Sequence, residues 1–526
     1  MTYPSDFDSS LKKLVESRNE RSKQKIERLT DKEREELIES YHPDYRSEGM
    51  KNIRIGPNEG QKVPIEFAEV LEAYSMCDFE KINLHAPDYE VDILVIGGGG
   101  GGGAAALTAH QLGADVMLST KLRLGDANTL MAEGGICSAV RAEDNPYIHF
   151  LDTYGGGHYT NVPEIVKALV LDGPKIADWL IDLGVMFDYE TKDVLKVNHC
   201  GGHSRKRMLS CKDLTGLEIM RVLRDEIRNQ QITCLEFSPA IELLIDHEGR
   251  CTGAVLYDLE TEQYITVKAG AVVLASGGIG RLHIQGFPTT NHYGATADGL
   301  VIAYRAGAEL LHMDSIQYHP TGVMWPEQLL GQLITEVMRG HGAQLVNVHG
   351  ERFINELECR DTTASAIIRE CADRENGITT PTGMEGVWLD TVLIPNVDKH
   401  FVGIYQRFSK YDIDIRSEPI LVFPTQHYQN GGLKISPHGE TTVEGLYAAG
   451  EVSGGVQGKN RLAGNSLLDI FVFGRRSAKS AVAYVNDHGK SNLTFEHVYS
   501  YHNRLEELGV NKAHTSPLLL PDYTKI

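Results

Sequence analysis

Residues Val91–Leu107 read VDILVIGGGGGGGAAAL. The first six are a short apolar, β-branched run of the kind that forms a strand buried on both faces of a parallel sheet. After the glycines, AAALTAHQLGADVMLST gives a small-residue helix, a Gly–Ala turn and a second strand, DVML. A strand, then G-x-G-x-x-G, then a helix is the dinucleotide fingerprint, and Gly97, Gly99 and Gly102 keep its spacing. The first serves a tight turn, the second lets a pyrophosphate approach the backbone, and the third packs the helix on the strand. The helix start adds amide donors and the positive end of the helix dipole. Seven glycines fit several registers, so it is the flanking strand and helix that exclude a low-complexity segment. Gly98, Gly100, Gly101 and Gly103 are expected to be tolerated rather than required.

The second strand ends at Ser119 and Thr120, where an NAD-binding chain usually carries an acid for the ribose hydroxyls. Far downstream, TVEGLYAAGE ends a further strand at Gly450–Glu451, and Glu451 can reach a ribose or ribityl hydroxyl. Two dinucleotide-contacting segments that far apart point to FAD lying extended through a domain interrupted by an insert. Further strands are expected at 240–246, 253–259 and 269–278.

The chain's 526 residues allow two or three domains. A formal net charge of −21 argues against a nucleic-acid or anionic-membrane surface. No apolar run approaches a membrane span. The eight cysteines are scattered without a C-x-x-C, so no zinc or iron–sulfur ligand set is expected and the metal-site expectation is none. Reduced thiols and a start without a secretory layout lead to the expectation of a cytoplasmic protein. Residues 1–88 are rich in charge with a sparse apolar stripe (Leu11, Leu14, Val15, Ile26, Leu29, Leu37, Ile38) and read as amphipathic helices. These helices either lie on their own domain or grip a partner subunit.

GDANTLMAEGGI (125–136), LASGG (274–278), QYHPTG (317–322), LITE (333–336) with Arg339, GERFINE (350–356), CRD (359–361), PTQHYQNGG (424–432), VEGLYAAGE (443–451) and NRLAGNSLLD (460–469) occur in this order. The set resembles the flavoprotein subunit family of succinate dehydrogenase, fumarate reductase and L-aspartate oxidase over about residues 90–480. The resemblance implies an α/β fold: a Rossmann-type FAD-binding domain (89–314 and 427–488) interrupted by an α+β capping domain (315–426). A helical N-terminal arm (1–88) and a helical C-terminal tail (489–526) complete it. It implies FAD contacts from Gly97, Gly99, Gly102, Ser119, Lys121, Asp126, Asn128, Thr129, Gly134, Gly135, Ala275, Ser276, Gly277, Asp298, Glu451, Asn465, Ser466 and Leu467. Asn128 stands where membrane-bound members attach FAD through a histidine, so the FAD is expected to be non-covalent.

The family pattern further implies that His319, Thr335, His427 and Arg461 hold a dicarboxylate such as fumarate or succinate. Arg360 then matches the proton donor, with Glu336 and Arg339 reprotonating it. Hydride passes between flavin N5 and the C4 dicarboxylate. Guanidinium groups suit this, because they pair with planar carboxylates through two parallel hydrogen bonds. From the residues alone, His319 or His427 is the natural acid, since arginine holds its proton above pH 12. Asn355 and Glu356 suit a structural part as well. In HCGGHSRKRMLSCKDLTG, His203, Ser204 and Arg207 lie near the flavin or the substrate mouth, or else on a basic surface loop. The short tail and long arm fit a soluble subunit fed by an iron–sulfur partner. The alternatives are an L-aspartate oxidase-like enzyme acting alone and a flavin electron-transfer subunit without dicarboxylate turnover.

Overall fold

The computed structural model describes residues 3–521. The expected tail includes residues 522–526 and the expected arm residues 1–2, which lie outside the described residues.

The main sheet is built from β1 (Tyr89–Ile96), β2 (Val116–Ser119), β3 (Thr233–Leu235), β4 (Ala240–Ile245), β5 (Cys251–Tyr257), β6 (Tyr264–Leu274) and β7 (Leu446–Ala448). Strands β3, β2, β1 and β6 run side by side and parallel. On its other edge β6 serves two partners. Its first half pairs antiparallel with β5, which continues to β4, and its last three residues pair parallel with β7. Val91 and Ile93–Ile96 of β1 are buried, as a strand covered on both faces requires. In register, Ile96 stands beside Ser119 on one side and Leu274 on the other. The chain therefore leaves the sheet at Gly97, Thr120 and Ala275 at one level, the crevice at the carboxyl ends where α/β folds bind ligands.

The helix Gly100–Gln111 begins inside the glycine run, with Gly99 as its N-cap. The long helix Asn465–His488 packs along it. They come close because a Cβ on Gly474 would already lie 2.6 Å from the Gly101 carbonyl oxygen.

A second, antiparallel sheet runs in the order Ile316–Val323, Ile420–Gln429, Glu385–Asp390, Gln344–Val346. The strand Ile420–Gln429 runs unbroken through position 426/427. The helix Arg360–Ala372 packs on this sheet. The N-terminal arm covers the same unit with two helices, Asp8–Arg21 and Asp31–Tyr41. Phe7, Leu11, Leu14 and Leu37 are buried there in one cluster with Trp388, Leu389 and Val422. Trp388 donates to Ser10 Oγ at 3.1 Å, and Arg18 and Arg21 pair with the buried Asp390 at 3.0 and 2.8 Å. Leu11, Leu14, Leu37 and Ile38 of the arm's apolar stripe are thus buried on their own chain, while Val15 is exposed.

The tail departs from an all-helical reading. After the helix Glu496–Glu507, residues Thr515–Ser516 are extended and pair parallel with Tyr74–Ser75. Pro517 follows, and a residue before proline is pushed out of the helical region. The Ser516 hydroxyl accepts from Arg305 at 2.9 Å, and Arg305 is itself ion-paired to the buried Glu242.

Candidate active site

A cavity of about 770 Å³ runs from the glycine turn to a cluster of arginines and histidines between the two sheets. At its first end the backbone leaves no room for side chains. Gly97 has φ +121°, and a Cβ there would sit 2.2 Å from the Ala275 carbonyl oxygen. A Cβ on Gly102 would sit 1.8 Å from the Gly97 oxygen. Gly102 therefore does not line the cavity, and its part is to let the helix lie against the turn. Gly99 lines the cavity, with its nearest neighbour, Ala127 Cβ, 3.2 Å from the added atom. Two of the glycines expected to be spare stand close to neighbouring side chains. A Cβ would meet Thr120 Oγ1 at 2.7 Å from Gly98, and Ile470 Cδ1 at 2.5 Å from Gly100. At Gly101 and Gly103 the nearest atoms stand at 3.5 and 3.4 Å, about ordinary contact.

Beyond the turn, Ser119 lines the cavity but its hydroxyl donates to the Ser238 carbonyl. Lys121 is ion-paired with Asp298 and donates to Gly294 O at 3.0 Å, Thr296 Oγ1 at 2.6 Å and Leu519 O at 2.8 Å. The C-terminal segment thereby ties down Lys121, which lines the cavity. Ala275, Ser276 and Gly277 line the opposite side, and the buried Ser276 hydroxyl has no protein partner. Asp126 holds Arg123 at 2.8 Å, and Thr129 Oγ1 accepts the Gly100 amide at 3.1 Å. Asn128 is fixed at both ends of its amide: it donates to Asn291 Oδ1 at 2.6 Å and Glu451 Oε2 at 3.3 Å and accepts from the His292 amide at 2.5 Å. Burial raises the Glu451 carboxyl, opposed by the Gln429 amide at 3.0 Å and by Asn128. Gly134, Gly135, Ser466 and Leu467 complete this stretch. Asn465 is not in the wall. Its side chain turns away to Thr153 Oγ1 at 3.0 Å and His149 Nε2 at 2.9 Å, and so anchors the start of the helix.

The far end collects His319, Thr335, Glu336, Arg360, His427 and Arg461 in one wall. His319 and His427 stand on the adjacent strands Ile316–Val323 and Ile420–Gln429, with ring centroids 5.0 Å apart. Burial, and then the surrounding arginines, hold both imidazoles well below their usual range, so both are neutral at pH 7. His319 Nδ1 accepts the Thr321 amide at 3.2 Å, and its buried Nε2 has no protein partner. His427 Nδ1 meets Thr290 Oγ1 at 2.7 Å. The Thr335 hydroxyl accepts the Val337 amide at 3.4 Å.

Arg360 opens the helix Arg360–Ala372 and donates through Nε to Glu336 Oε2 at 2.7 Å and through Nη1 to Gln317 Oε1 at 3.0 Å. Glu336 also accepts the Gly201 amide at 2.6 Å. Burial would raise the Glu336 carboxyl most, but Arg360 and Arg339 together hold it below its usual range. Arg339 is not in the wall. It sits behind Glu336, 3.4 Å away, donates to the Glu356 carbonyl, and is lowered chiefly by burial. Arg461 lies 4.3 Å over the Tyr428 ring and donates to Ser466 Oγ at 2.9 Å. Burial first, and Arg360 second, bring it down to about 9.

His203, Ser204 and Arg207 stand outside the cavity wall. Arg207 is buried on Asp144 at 2.8 Å and Asp152 at 2.7 Å, and His203 Nε2 meets the Ala463 carbonyl at 2.9 Å. This layer backs the Ala463–Gly464 wall. Ser204 is exposed and bonds Asp152. Asn355 donates to the Ile26 carbonyl, and Glu356 pairs with Arg352 at 2.6 Å.

Sequence reasoning passed over Gln317, Gly201, Tyr428 and the Glu133–Arg407 pair at 2.7 Å, which joins the two units beside the cavity. Gln317, Tyr428 and Glu133 stood inside motifs already singled out, and Gly201 stood in the HCGGHS stretch. Among the described residues there is no cluster of metal-ligating side chains and no helix long and apolar enough to cross a membrane.

The chain matches the FAD binding domain family over residues 92–467. It is 37% identical to the A chain of the CoM/CoB fumarate reductase of Methanothermobacter marburgensis, over 75% of this chain and 72% of that protein. It is likewise 37% identical to the L-aspartate oxidase of Streptomyces coelicolor, over 76% of this chain and 71% of that one. Among solved structures it is similar to FrdA of an E. coli quinol fumarate reductase, with a TM-score of 0.72 and 29% identity over 80% and 74% of the two chains. FAD suits this cavity on its own terms: a side-chain-free turn at a helix start for a pyrophosphate, unpartnered buried polar atoms along its length, and a carboxylate midway. The chain belongs to the FAD binding domain family, among the relatives of fumarate reductase flavoproteins and L-aspartate oxidases, and is an FAD-dependent oxidoreductase.

Proposed function

We propose that this chain is a flavoprotein catalytic subunit that interconverts fumarate and succinate, or a closely similar unsaturated C4 dicarboxylate and its reduced form. The observation that carries the reading is the Arg360–Glu336–Arg339 chain abutting a pocket of neutral histidines and Arg461 at the end of an FAD cavity. FAD, when bound, supplies the hydride chemistry. The rest falls to side chains. Arg461 pairs with one carboxylate, while His319 Nε2, His427 and the Thr335 hydroxyl serve the remaining acceptor sites. Neutral imidazoles donate one hydrogen bond each without adding charge beside three arginines. Nε and Nη1 of Arg360 are both fixed, which points its guanidinium rigidly. It delivers a proton to the substrate carbon, and Glu336 relays a replacement from Arg339. Closure of residues 315–426 on the FAD-binding part excludes water from that step.

We further propose that an iron–sulfur protein supplies the electrons, since the Methanothermobacter relative is itself one subunit of its enzyme. We place FAD in the cavity without a covalent link, because Asn128 offers an amide, not a ring nitrogen. Acid precipitation of the holoprotein should leave all flavin in the supernatant; flavin retained in the pellet would contradict this. Product analysis tests the reaction. Succinate from fumarate under reducing, anaerobic conditions supports it, whereas iminoaspartate formed from aspartate, with no succinate, would assign the chain to the oxidase reaction.

A further inference from the structure

The N-terminal arm does more than cover the second sheet. Its linker, between the helices Asp8–Arg21 and Asp31–Tyr41, is mostly exposed yet tied by four hydrogen bonds to one loop, residues 352–359, and Arg34 of the second helix adds a fifth. Arg352 and Asn355 donate to the carbonyls of Gln24 and Ile26 at 2.7 and 2.8 Å. Arg28 donates to the Leu357 carbonyl at 3.2 Å. The buried Glu358 carboxylate takes the Leu29 amide at 2.8 Å and Arg34 at 3.2 Å. On its inner side the same loop holds Arg339, leads into Arg360 and reaches Glu336 through Gly201. Its Glu356 carbonyl holds Arg339, and its end becomes the first turn presenting Arg360. Its Glu358 carbonyl packs against Gly201, where a Cβ would be 2.8 Å away, and the Gly201 amide holds Glu336.

We infer that the arm is a positioning element for the proton-donating arginine, acting through Arg34 and the loop 352–359. The inference rests on the relay proposed for Arg360, Glu336 and Arg339. Its physical basis is the buried Glu358 carboxylate. Without Arg34 that charge is left under-compensated, and a buried charge missing its partner makes its surroundings rearrange. The loop that would move carries the relay.

The test compares Arg34→Ala and Arg34→Lys with the wild-type holoprotein. In Arg34→Ala, kcat for fumarate reduction should fall about tenfold, with KM within about twofold and flavin content unchanged, because a small misplacement of a catalytic group costs turnover more than binding. The solvent deuterium effect on kcat should grow, since proton delivery becomes slower, and Arg34→Lys should recover most of the rate. Amide hydrogen exchange in residues 353–361 should quicken in Arg34→Ala alone. Unchanged kcat and unchanged exchange would overturn the inference, as would a parallel loss of kcat and flavin content. If the wild-type protein turns over no dicarboxylate, the proposed reaction has failed. Hydrogen exchange then decides the coupling of arm and loop by itself: quickened exchange in Arg34→Ala upholds it and unchanged exchange overturns it.

Discussion

Glu336 and Asp469 are both buried carboxylates, yet their neighbours drive them apart. Glu336 has Arg360 and Arg339 against it and stays charged despite burial. Asp469 accepts from Gln457 at 3.1 Å and Tyr428 at 3.4 Å and feels Arg461, but burial outweighs all three and pushes it up to about 7. An unfolded aspartate titrates at about 3.9. The folded chain therefore holds this proton more tightly, so the stabilisation is complete below about pH 4 and is lost as pH rises toward 7. Asp469→Asn should flatten that fall, worth at most roughly 4 kcal/mol, in urea unfolding at pH 4.5 and 7.5. Equal slopes for the two proteins would contradict it. Glu133, pushed up to about 7 by burial against the pull of Arg407, keeps part of the slope in the variant. The residues gathered at this end were legible as motifs in the sequence. The part played by Gln317 within its motif was not, because a glutamine carries no signature of its own and its bond to Arg360 spans 43 positions.

Among elements, the glycine turn shows where spacing informs and where it stops. The G-x-G-x-x-G register found Gly97 through the positive φ of the tight turn and Gly102 through its contact with Gly97 inside the same strand–turn–helix, although the atom that crowds Gly97, the Ala275 oxygen, comes from another segment. It says nothing of the side chains beside Gly98 and Gly100, because Thr120 and Ile470 come from other segments. Gly102→Ala should cost about 3 kcal/mol or more by overpacking against backbone that cannot yield, while Gly101→Ala should leave melting temperature and flavin content near wild type. Equal behaviour of the two variants in thermal melts and flavin absorbance would contradict this packing of helix against turn. Strand β6 was legible only as an apolar run. That it pairs with β5 along one half and β7 along the other depends on a partner more than 160 positions away, which local hydropathy does not encode.

For the molecule as a whole, one cavity gathers side chains from Ile96 to Ile470 between two sheets that share no strand. Composition marks no linker between them, so the interruption of the FAD-binding part was readable from the order of motifs and not from any local signal. The arm's seat was left open by the sequence, since an apolar stripe specifies that a face is buried without naming what buries it. The proposed reaction is reduction of a C4 dicarboxylate in this cavity with Arg360 as proton donor. Anaerobic stopped-flow reoxidation of the photoreduced holoprotein by fumarate tests it most directly. Flavin should reoxidise rapidly with succinate formed, and about 10³-fold more slowly in Arg360→Ala with flavin still bound. Reoxidation by fumarate at the same rate in both proteins, or none in the wild type, would contradict it.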